Sequence, residues 1–371
     1  MEKEKKIGLY IHVPFCDGKC PYCDFYSMRG TEERMEQYTN SIISSILSYG
    51  KQLNRRADTL YFGGGTPSLL GAARIRSIVR TAQECFGLED AEITLEANPA
   101  ADLSEFFRAV HDAGVNRLSI GMQSAVEEEL HLLGRRHTAR QAEQAVRDAQ
   151  KAGFTNISLD LMIATPNQTM ESLKRSIQFC AETGVQHISA YLLKIEPHTA
   201  YAKQREQLAL PDDDTAGELY LCACEELERL GFLQYEISNF AVPGFESRHN
   251  LKYWHCEEYL GIGPAAHSFL NGNRFYYERS LLGFLNGGKP KTDGEGGGFE
   301  EYAMLALRLS EGLTERGCRE RFGSGIPVSM RKTAKKYERA GLTATTPDGF
   351  RLTRNGFLVS NTLIAELLFG N

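Results

Sequence analysis

Residues 10–25 read YIHVPFCDGKCPYCDF, in which a short apolar run leads directly into three cysteines. Cys16, Cys20 and Cys23 follow a C-x3-C-x2-C spacing, so one short loop carries three thiols. Iron–sulfur clusters are held by cysteine thiolates, and three thiolates on one loop can hold one face of a cubane. Because the loop offers only three ligands, one iron stays open to a chelating molecule, as in catalytic metal sites. The stretch therefore predicts a [4Fe–4S] cluster at the end of a strand.

A zinc site with His12 as the fourth ligand, or a chance crowding of cysteines, is the alternative for this loop. Structural zinc usually takes two separated C-x2–4-C pairs, and no second pair follows in the sequence. The remaining cysteines are scattered, which fits small buried side chains better than disulfides in a chain of this size. They are Cys85, Cys180, Cys222, Cys224, Cys256 and Cys318. We therefore favour the iron–sulfur interpretation.

The composition of the 371-residue chain is that of an ordinary folded protein, with 42% hydrophobic and 24% charged residues. The formal net charge is -6, whereas a dedicated nucleic-acid binder usually carries a basic excess. No apolar run approaches the ~20 residues of a membrane span. The start, MEKEKKIGLYIHVPFC, imitates a signal peptide but has no small-residue cleavage site. We expect a cytoplasmic protein that binds no nucleic acid.

Strand-like and helical stretches alternate from residue 7 to about residue 270. For example, ADTLYFGGG is β-like, and the following ARIRSIVRTAQECF has apolar residues at helical spacing. Six or so such units predict an α/β fold, a parallel sheet with helices outside. Polar residues follow several strand-like runs, at positions that converge on one face of an α/β barrel. They are Gly63 to Thr66, Glu96, Ser119, Gln123 and Asp160. We favour a full or partial barrel with its chemistry at that face.

The chain is predicted to divide at a glycine-rich stretch. Residues 1–285 form the barrel domain, residues 286–298 (NGGKPKTDGEGGG) a flexible linker, and residues 299–371 a small C-terminal domain. Two or three helices and a hairpin signal at PDG predict a winged-helix-like α+β fold for the last segment. Its 11 basic and 8 acidic residues give too small a positive excess for a DNA-binding winged helix. We expect it to cover the barrel mouth or to serve as a docking surface.

A glycine loop, FGGGTP at residues 62–67, follows the second strand-like run. Glycines allow a ligand to approach the backbone and can leave N–H groups free to bind it. The loop is neither the full G-x-G-x-x-G of a dinucleotide site nor a P-loop, which needs Gly-Lys-Ser/Thr. By itself it also fits an ordinary turn, so its meaning depends on the cysteine loop that precedes it.

The C-x3-C-x2-C loop resembles the cluster loop of the radical S-adenosylmethionine (SAM) superfamily. There SAM binds the open iron through its amino and carboxylate groups, and one electron from the cluster cleaves it to a 5′-deoxyadenosyl radical. The GGGTP loop is similar to the motif that holds the methionine amino group. Glu96 and Asp160 offer carboxylates to the SAM ammonium and ribose, and Arg135 offers a guanidinium to the SAM carboxylate. Helix caps and salt bridges are the alternative for such residues.

The resemblance extends to the oxygen-independent coproporphyrinogen oxidase family, over nearly the whole chain. Seven segments run in the same order as in that family, namely YIHVPFCDGKCPYCDF, FGGGTPS, LEANP, GVNRLSIGMQS, LGRRHTA, LDLMIATPNQT and GIGPAAHS. The resemblance implies a partial (β/α)6 barrel, a [4Fe–4S] cluster and an electron donor such as flavodoxin or ferredoxin. It also implies SAM contacts at Tyr10, Tyr22, Gly64, Gly65, Thr66, Glu96, Gln123, Arg135 and Asp160.

Two features separate the chain from the true oxidases of that family. Those enzymes carry another cysteine two residues past the last cluster ligand, where this chain has Phe25. They also have a longer N-terminal arm that helps to close the active site, whereas fifteen residues precede Cys16 here. A primary-carbon radical needs a site that excludes water, so the loss of a lid weakens the case for that oxidation. Dehydrogenation of coproporphyrinogen III, or another SAM-dependent change to a tetrapyrrole, is the alternative function.

A third feature favours the HemW branch, which is regarded as a group of haem chaperones. HNLKYW at residues 249–254 matches the HNxxYW motif of that branch. A neutral imidazole is a good axial ligand for haem iron, so His249 is the leading candidate, with His255 and His267 as rivals. A polar histidine packed beside Trp254 is the alternative. We predict haem as cargo, delivered to a respiratory haemoprotein by transient docking at the membrane surface.

Overall fold

Six parallel strands form the centre of the fold in the computed structural model, which describes residues 5–99 and 102–370. They lie side by side in chain order, with helices in the connections. The strands are β1 Ile7–Val13, β2 Ala57–Gly64, β3 Glu92–Ala97, β4 Arg117–Gln123, β5 Ile157–Ile163 and β6 His187–Leu192. The helices between them are α1 Glu32–Leu53, α2 Ala72–Phe86, α3 Ser104–His111, α4 Glu127–Leu132, α5 Ala139–Lys151 and α6 Met170–Glu182. The predicted α/β fold, a partial (β/α)6 barrel, is confirmed.

The central strands have one apolar and one polar face. Leu9 and Ile11 of β1 are fully buried in the hydrophobic core. On the other face, the strand register aligns Tyr10, Tyr61 and Thr94 across β1, β2 and β3. Side chains alternate along a strand with a period of two, so these aligned residues share one side of the sheet. The interior is therefore polar, whereas branched apolar residues fill the interior of a closed TIM barrel.

Threonine side chains determine where several helices begin. The side chains of Thr31, Thr138 and Thr169 accept hydrogen bonds from backbone N–H groups in the first turns of α1, α5 and α6. Such a cap contributes about 1 kcal/mol and fixes the entry of the preceding loop into the helix. In the part of the chain that the structure describes, no helix combines the length and apolarity that a bilayer span requires.

The sheet continues on both sides of the six central strands. A further strand pairs parallel with β1, three antiparallel strands follow it, and two antiparallel strands lie beside β6. These strands are β7 Leu233–Gln234, β8 Asn239–Ala241, β9 Tyr259–Ile262, β10 His267–Leu270, β11 Asn273–Tyr276 and β12 Lys291–Glu295.

The prediction of a flexible linker over residues 286–298 is wrong for its central part. β12 lies in that stretch and pairs antiparallel with β11, from Asn273 opposite Glu295 to Tyr276 opposite Lys291. All five of its residues are exposed, so the strand leaves no apolar pattern in the sequence. Backbone hydrogen bonding at the sheet edge holds it instead, with Gly294 at a φ of 97° beside the shift in register.

Helix α9 packs against the N-terminal ends of the barrel strands. The later helices of this domain are α7 Ala200–Lys203, α8 Asp213–Arg229, α9 Arg248–Trp254 and α10 Leu281–Leu285. Glu92, the first residue of β3, accepts hydrogen bonds from the backbone N–H groups of Arg248 and His249, both at 3.0 Å. Lys252 pairs with Asp58 near the start of β2 at 2.9 Å. The predicted HNLKYW motif thus lies at the end of the barrel opposite to the cysteine loop, which follows the C-terminal end of β1.

The last part of the chain folds as helix, strand, two helices and a hairpin, followed by two more helices. This order matches the predicted winged-helix-like fold. Its elements are α11 Phe299–Ala306, β13 Leu313–Thr314, α12 Glu315–Phe322, α13 Val328–Glu338, β14 Thr343–Thr346, β15 Gly349–Leu352, α14 Arg354–Leu358 and α15 Ser360–Phe369.

The C-terminal elements contact the barrel domain away from the cysteine loop. Arg321 donates to the backbone carbonyls of His255 and Cys256, just past α9, at 2.9 and 2.8 Å. Arg354 pairs with Glu228 of α8 at 2.8 Å. The expectation that this domain covers the barrel mouth is therefore wrong, because its polar contacts join it to the outer helices and to the opposite end of the barrel.

Candidate functional site

A cavity of about 320 Å³ lies at the C-terminal ends of the central strands. The cysteine loop, the glycine loop and the ends of β3, β4 and β5 line it. Eleven of the residues predicted from sequence meet there, namely Cys16, Cys20, Tyr22, Cys23, Gly64, Gly65, Thr66, Glu96, Gln123, Arg135 and Asp160. Tyr10 and His249 do not line it. Parallel strands bring their C-terminal ends to one face, which is why residues far apart in sequence converge.

The cysteine loop is closed at its base by a short backbone ladder. Phe15 pairs with Met28, and the N–H groups of Cys16 and Met28 donate across the base at 2.9 and 2.8 Å. Inside the loop, the N–H of Cys23 donates to the carbonyl of Cys20 at 3.1 Å. All three cysteines are free thiols and are partly accessible. The chain thus presents three thiols to one cavity from a loop with a fixed base.

The LGRRHTA segment between α4 and α5 holds the cysteine loop from outside. Gly134 has a φ of 66°, and a Cβ there would lie 2.7 Å from a ring carbon of Pro21. Arg135 lies 3.6 Å from the Cys20 sulfur. Arg136 pairs with Asp17 at 3.8 Å. Only glycine allows the approach at position 134, so the segment positions the loop as well as supplying Arg135.

The glycine loop packs directly on the cysteine loop, and this close approach explains its composition. The N–H groups of Gly65 and Thr66 donate to the carbonyls of Val13 and Phe15 at 2.8 and 2.7 Å. The N–H of Gly64 donates to the Glu96 carboxylate at 3.2 Å. A Cβ at Gly65 would collide with the carbonyl oxygen of Phe15. The expectation that these N–H groups stay free for a ligand is therefore wrong, because the two loops use them to bind each other and to hold Glu96.

Two partly buried carboxylates face the cavity close to one another. Glu96 accepts from the Tyr61 hydroxyl at 2.8 Å, and Asp160 accepts from the Ser119 hydroxyl at 3.0 Å. Burial raises the pKa of Glu96 to about 7, and the neighbouring Asp160 adds to the effect. Burial likewise raises the pKa of Asp160. A cation between the two carboxylates would relieve the cost of ionising both, so the pair favours a positively charged ligand.

Arg135 lies over the cavity with its hydrogen-bonding capacity partly unused. One of its amino groups donates to the Asn98 side chain at 2.8 Å and to the Gly121 carbonyl at 2.6 Å. Its Nε is buried and has no partner among the described residues. Asn98 also donates to the Thr66 hydroxyl at 2.9 Å. Sequence reasoning missed Asn98, although it belongs to the LEANP segment and follows Glu96 by two residues.

Gln123 is held in an uncommon backbone conformation. Its φ is 72°, and the pairing of β4 with β5 shifts in register just before it. A non-glycine residue with positive φ costs free energy and persists where the surrounding structure imposes it, often at functional sites. The bulge at the end of β4 therefore places the Gln123 side chain at the cavity.

His249 and Tyr10 lie outside this cavity. The Nδ1 of His249 is 2.7 Å from the Thr59 hydroxyl, and its Nε2 is 2.8 Å from the Tyr253 hydroxyl. Burial lowers the pKa of His249 to about 3, so the ring is neutral. Tyr10 bonds the Nδ1 of His12 at 3.1 Å and lines a second cavity on the other side of the cysteine loop. Both nitrogens of His249 are thus engaged at the N-terminal end of the barrel.

Comparison with known proteins connects the whole chain to one group. A profile of the radical SAM superfamily matches residues 10–180, and a profile of the HemN C-terminal domain matches residues 299–359. The protein "Heme chaperone HemW" of Lactococcus lactis is 38% identical over 98% of each chain. The protein of the same name from Mycobacterium tuberculosis H37Rv is 34% identical, covering 97% of this chain and 94% of the relative.

The comparison with solved structures agrees on the fold. Coproporphyrinogen III oxidase (HemN) of Escherichia coli superposes with a TM-score of 0.84 at 21% identity, covering 99% of this chain and 91% of that one. At this identity the structural similarity shows the fold, whereas the full-length sequence relatives show the family. The chain belongs to the HemW family of radical SAM proteins.

Proposed function

We propose that this chain is a haem chaperone that holds a [4Fe–4S] cluster and SAM, binds haem and delivers it to respiratory haemoproteins. The observation that carries the proposal is the convergence of the three-cysteine loop, the glycine loop and the partly buried Glu96 and Asp160 on one cavity. The haem part rests on full-length relatives whose printed name is heme chaperone HemW. It also rests on Phe25, which stands where the oxidases have their additional cysteine.

Cys16, Cys20 and Cys23 are the proposed cluster ligands. No group of three or more His, Cys, Asp or Glu side chains in residues 5–99 and 102–370 converges on a point that could hold a single metal ion. In a cubane each thiolate binds a different iron, so its three sulfurs stand farther apart than the ligands of one ion. The support for a cluster over the alternative zinc site is the C-x3-C-x2-C spacing with no second cysteine pair in the sequence.

The residues around the open side of the loop are the proposed SAM contacts. Glu96 and Asp160 accept from the SAM ammonium and ribose, and the partly unused guanidinium of Arg135 binds the SAM carboxylate. Gln123 and Tyr22 line the same cavity and are the proposed contacts of the nucleoside. The SAM ammonium is a hydrogen-bond donor, so the backbone carbonyl oxygens of the glycine loop are the groups of that loop that can accept from it. When bound, SAM supplies a 5′-deoxyadenosyl radical after one-electron reduction by the cluster.

Haem is the proposed cargo, with a flavodoxin- or ferredoxin-type electron donor and a respiratory acceptor as transient partners of a cytoplasmic protein. The prediction that His249 ligates haem iron stays a prediction. Ligation there requires the Thr59 or Tyr253 hydrogen bond to break and α9 to move from the strand ends. A buried polar group that loses its partner costs about 1–3 kcal/mol, which haem binding would have to supply.

The test of the cluster is anaerobic purification of the full chain with measurement of iron, sulfide and zinc. We expect a brown protein with about four irons and matching sulfide per chain. Stoichiometric zinc without sulfide would refute the cluster.

The test of the chaperone function is titration of ferric haem into the reconstituted protein, followed at the Soret band. Saturable binding near one haem per chain is expected. In parallel, coproporphyrinogen III is offered with SAM and an electron donor. Rapid formation of protoporphyrinogen IX without haem binding would refute the chaperone function and assign an oxidase function instead.

A further inference from the structure

The cavity lined by Tyr10 is separate from the cluster cavity and adjoins it. Its volume is about 460 Å³, within the range of about 300–1,000 Å³ typical of small-molecule and cofactor sites. Residues Asp24 to Tyr26 of the cysteine loop form one wall, and residues around β9 to β11 form another. Phe25 lines both cavities, and 64% of its surface is exposed. A ligand in the second cavity would therefore lie next to the cluster loop, with Phe25 between the two sites.

Two histidines line the second cavity, and they differ in what their rings contact. The ring of His12 is buried, with Nδ1 bonded to the Tyr10 hydroxyl and Nε2 3.0 Å from the Tyr26 carbonyl. His267 is exposed, and its ring makes no hydrogen bond or ion pair with any residue that the structure describes. An iron ligand needs an accessible imidazole nitrogen with a free lone pair. Of the two, only His267 meets that need.

The fold holds His267 in place on a rigid strand. It begins β10 and is the cross-strand partner of Tyr276 on β11, and the two rings stack with centroids 5.3 Å apart and planes 20° from parallel. The GIGPAAHS segment, which contains His267, packs against β1, where a Cβ at Gly263 would lie 2.7 Å from the His12 carbonyl oxygen. Ala265 has a φ of 69° in the same turn. The stack fixes the ring plane, and the glycine lets the segment reach β1.

The rest of the lining suits a flat aromatic dianion. Phe25, Tyr259 and Tyr277 supply ring surfaces for a macrocycle. The Arg279 guanidinium donates to the Asp24 backbone carbonyl and lies 3.5 Å from the Asp24 carboxylate, and the Arg279 side chain is 53% exposed. Such an exposed ion pair is worth little, so a propionate can replace the Asp24 carboxylate as the anion bound by Arg279.

We propose that haem binds in this second cavity with His267 as the axial ligand of its iron and Arg279 at a propionate. The proposal rests on the haem-binding function proposed above and names its site. The proposed iron ligand lies on β10 and not on α9, whose Tyr253 contributes only to the lining, so the HNLKYW segment acts through packing and not through iron ligation.

The experiment titrates ferric haem and metal-free protoporphyrin IX into wild type, His267→Ala, His249→Ala and Arg279→Ala, all as full-length anaerobically reconstituted protein. His267→Ala should lose the wild-type Soret position and weaken haem binding by about tenfold or more, equal to about 1.4 kcal/mol. It should leave metal-free porphyrin binding unchanged. Added imidazole should restore the Soret position, because it supplies the missing nitrogen.

Two further variants sharpen the result. Arg279→Ala should weaken the binding of haem and of metal-free protoporphyrin IX by up to about fivefold, and it should leave the Soret position of bound haem unchanged. His198→Ala, an exposed histidine outside both cavities, should behave as wild type. His267 is exposed, so its removal leaves no buried gap, and circular dichroism checks that each variant is folded.

The outcomes separate this inference from the function on which it rests. Wild type that binds no haem refutes the chaperone proposal. Wild type that binds haem, with His267→Ala unchanged in spectrum and affinity, refutes the His267 site and leaves the chaperone proposal intact. Loss of the Soret band in a folded His249→Ala protein but not in His267→Ala would assign the iron to α9 instead.

Discussion

At the N-terminal end of the barrel strands, polar side chains bond to helix α9 and its backbone, whereas at the C-terminal end they line the cluster cavity. Around α9, Glu92 accepts two backbone N–H groups and both ring nitrogens of His249 are bonded. At the cluster cavity, Arg135 keeps a buried Nε without a partner in the described chain, and the partly buried carboxylates of Glu96 and Asp160 lie close together. Groups that bond to helix and strand backbone stabilise the fold, while polar groups that face a cavity can bind a ligand. The difference assigns stability to one end of the barrel and chemistry to the other.

The largest expected effect is the loss of the cluster when any of its cysteines is removed. Cys16→Ala, Cys20→Ala and Cys23→Ala should each purify without stoichiometric iron and sulfide, because two thiolates cannot hold a cubane that needs three. The matched control is Cys85→Ala, a partly buried thiol on α2 that should keep full iron content. Normal iron in any of the three variants would remove that residue from the ligand set.

The carboxylates of the cluster end should make stability fall as pH rises. Folded Glu96 keeps its proton up to about pH 7, whereas the unfolded residue releases it near 4.5. The folded state therefore binds more protons between these values, and this group lowers the free energy of unfolding by up to about 3 kcal/mol as pH rises through them. Denaturant unfolding at pH 5 and pH 8 should show a smaller decline in Glu96→Gln than in wild type.

Glu236 is the matched control for that measurement. Burial also raises its pKa to about 7, but it does not line the cluster cavity. Glu236→Gln should also reduce the decline in the free energy of unfolding between pH 5 and pH 8. Added SAM should reduce only the decline that Glu96 causes. If SAM reduced only the decline that Glu236 causes, the proposed cation site at Glu96 would be contradicted.

Removal of the Arg135 side chain should weaken SAM binding and leave the cluster content unchanged. Loss of a charge-assisted hydrogen bond to the SAM carboxylate costs about 1.5–3 kcal/mol, so Arg135→Ala should bind SAM about 10- to 150-fold more weakly. Equilibrium binding to the reconstituted protein measures it, with iron content checked alongside. The control is Arg136→Ala, whose exposed side chain pairs with Asp17 at only 3.8 Å and should leave affinity within twofold or so. Equal SAM affinity in both variants would place Arg135 outside the site.

The opposite end of the barrel should respond in stability and not in cofactor binding. Glu92→Ala leaves the N–H groups of Arg248 and His249 without an acceptor, which should lower the free energy of unfolding by about 2 kcal/mol. Cluster content and SAM affinity should stay as in wild type. Glu84→Ala, at an exposed position on α2, should change neither quantity. A loss of SAM affinity in Glu92→Ala would show that the two ends are coupled.

Local sequence patterns were sufficient for most of the cluster cavity. The spacing of Cys16, Cys20 and Cys23 defines a loop by itself. The glycines at residues 63–65 indicate that another group approaches the backbone there closely, although they do not identify that group. Glu96 and Asp160 could be placed together because they end parallel strands, and those ends meet on one face by the geometry of the fold. These inferences need only neighbours in sequence and one rule of topology.

Pairings between distant segments could not be deduced in the same way. β12 has no apolar pattern, because it is held by backbone hydrogen bonds to β11. Helix α9 lies at the N-terminal end of the barrel because its residues bond to Glu92 and Asp58. His249 has the chemistry of an iron ligand in the sequence, and only its contacts with Thr59 and Tyr253 reveal that both nitrogens are engaged. The sequence alone determined the order of β/α units and the chemistry carried by each loop. The tertiary structure decided which polar groups find partners and which remain for a ligand, since that depends on long-range contacts no local pattern encodes.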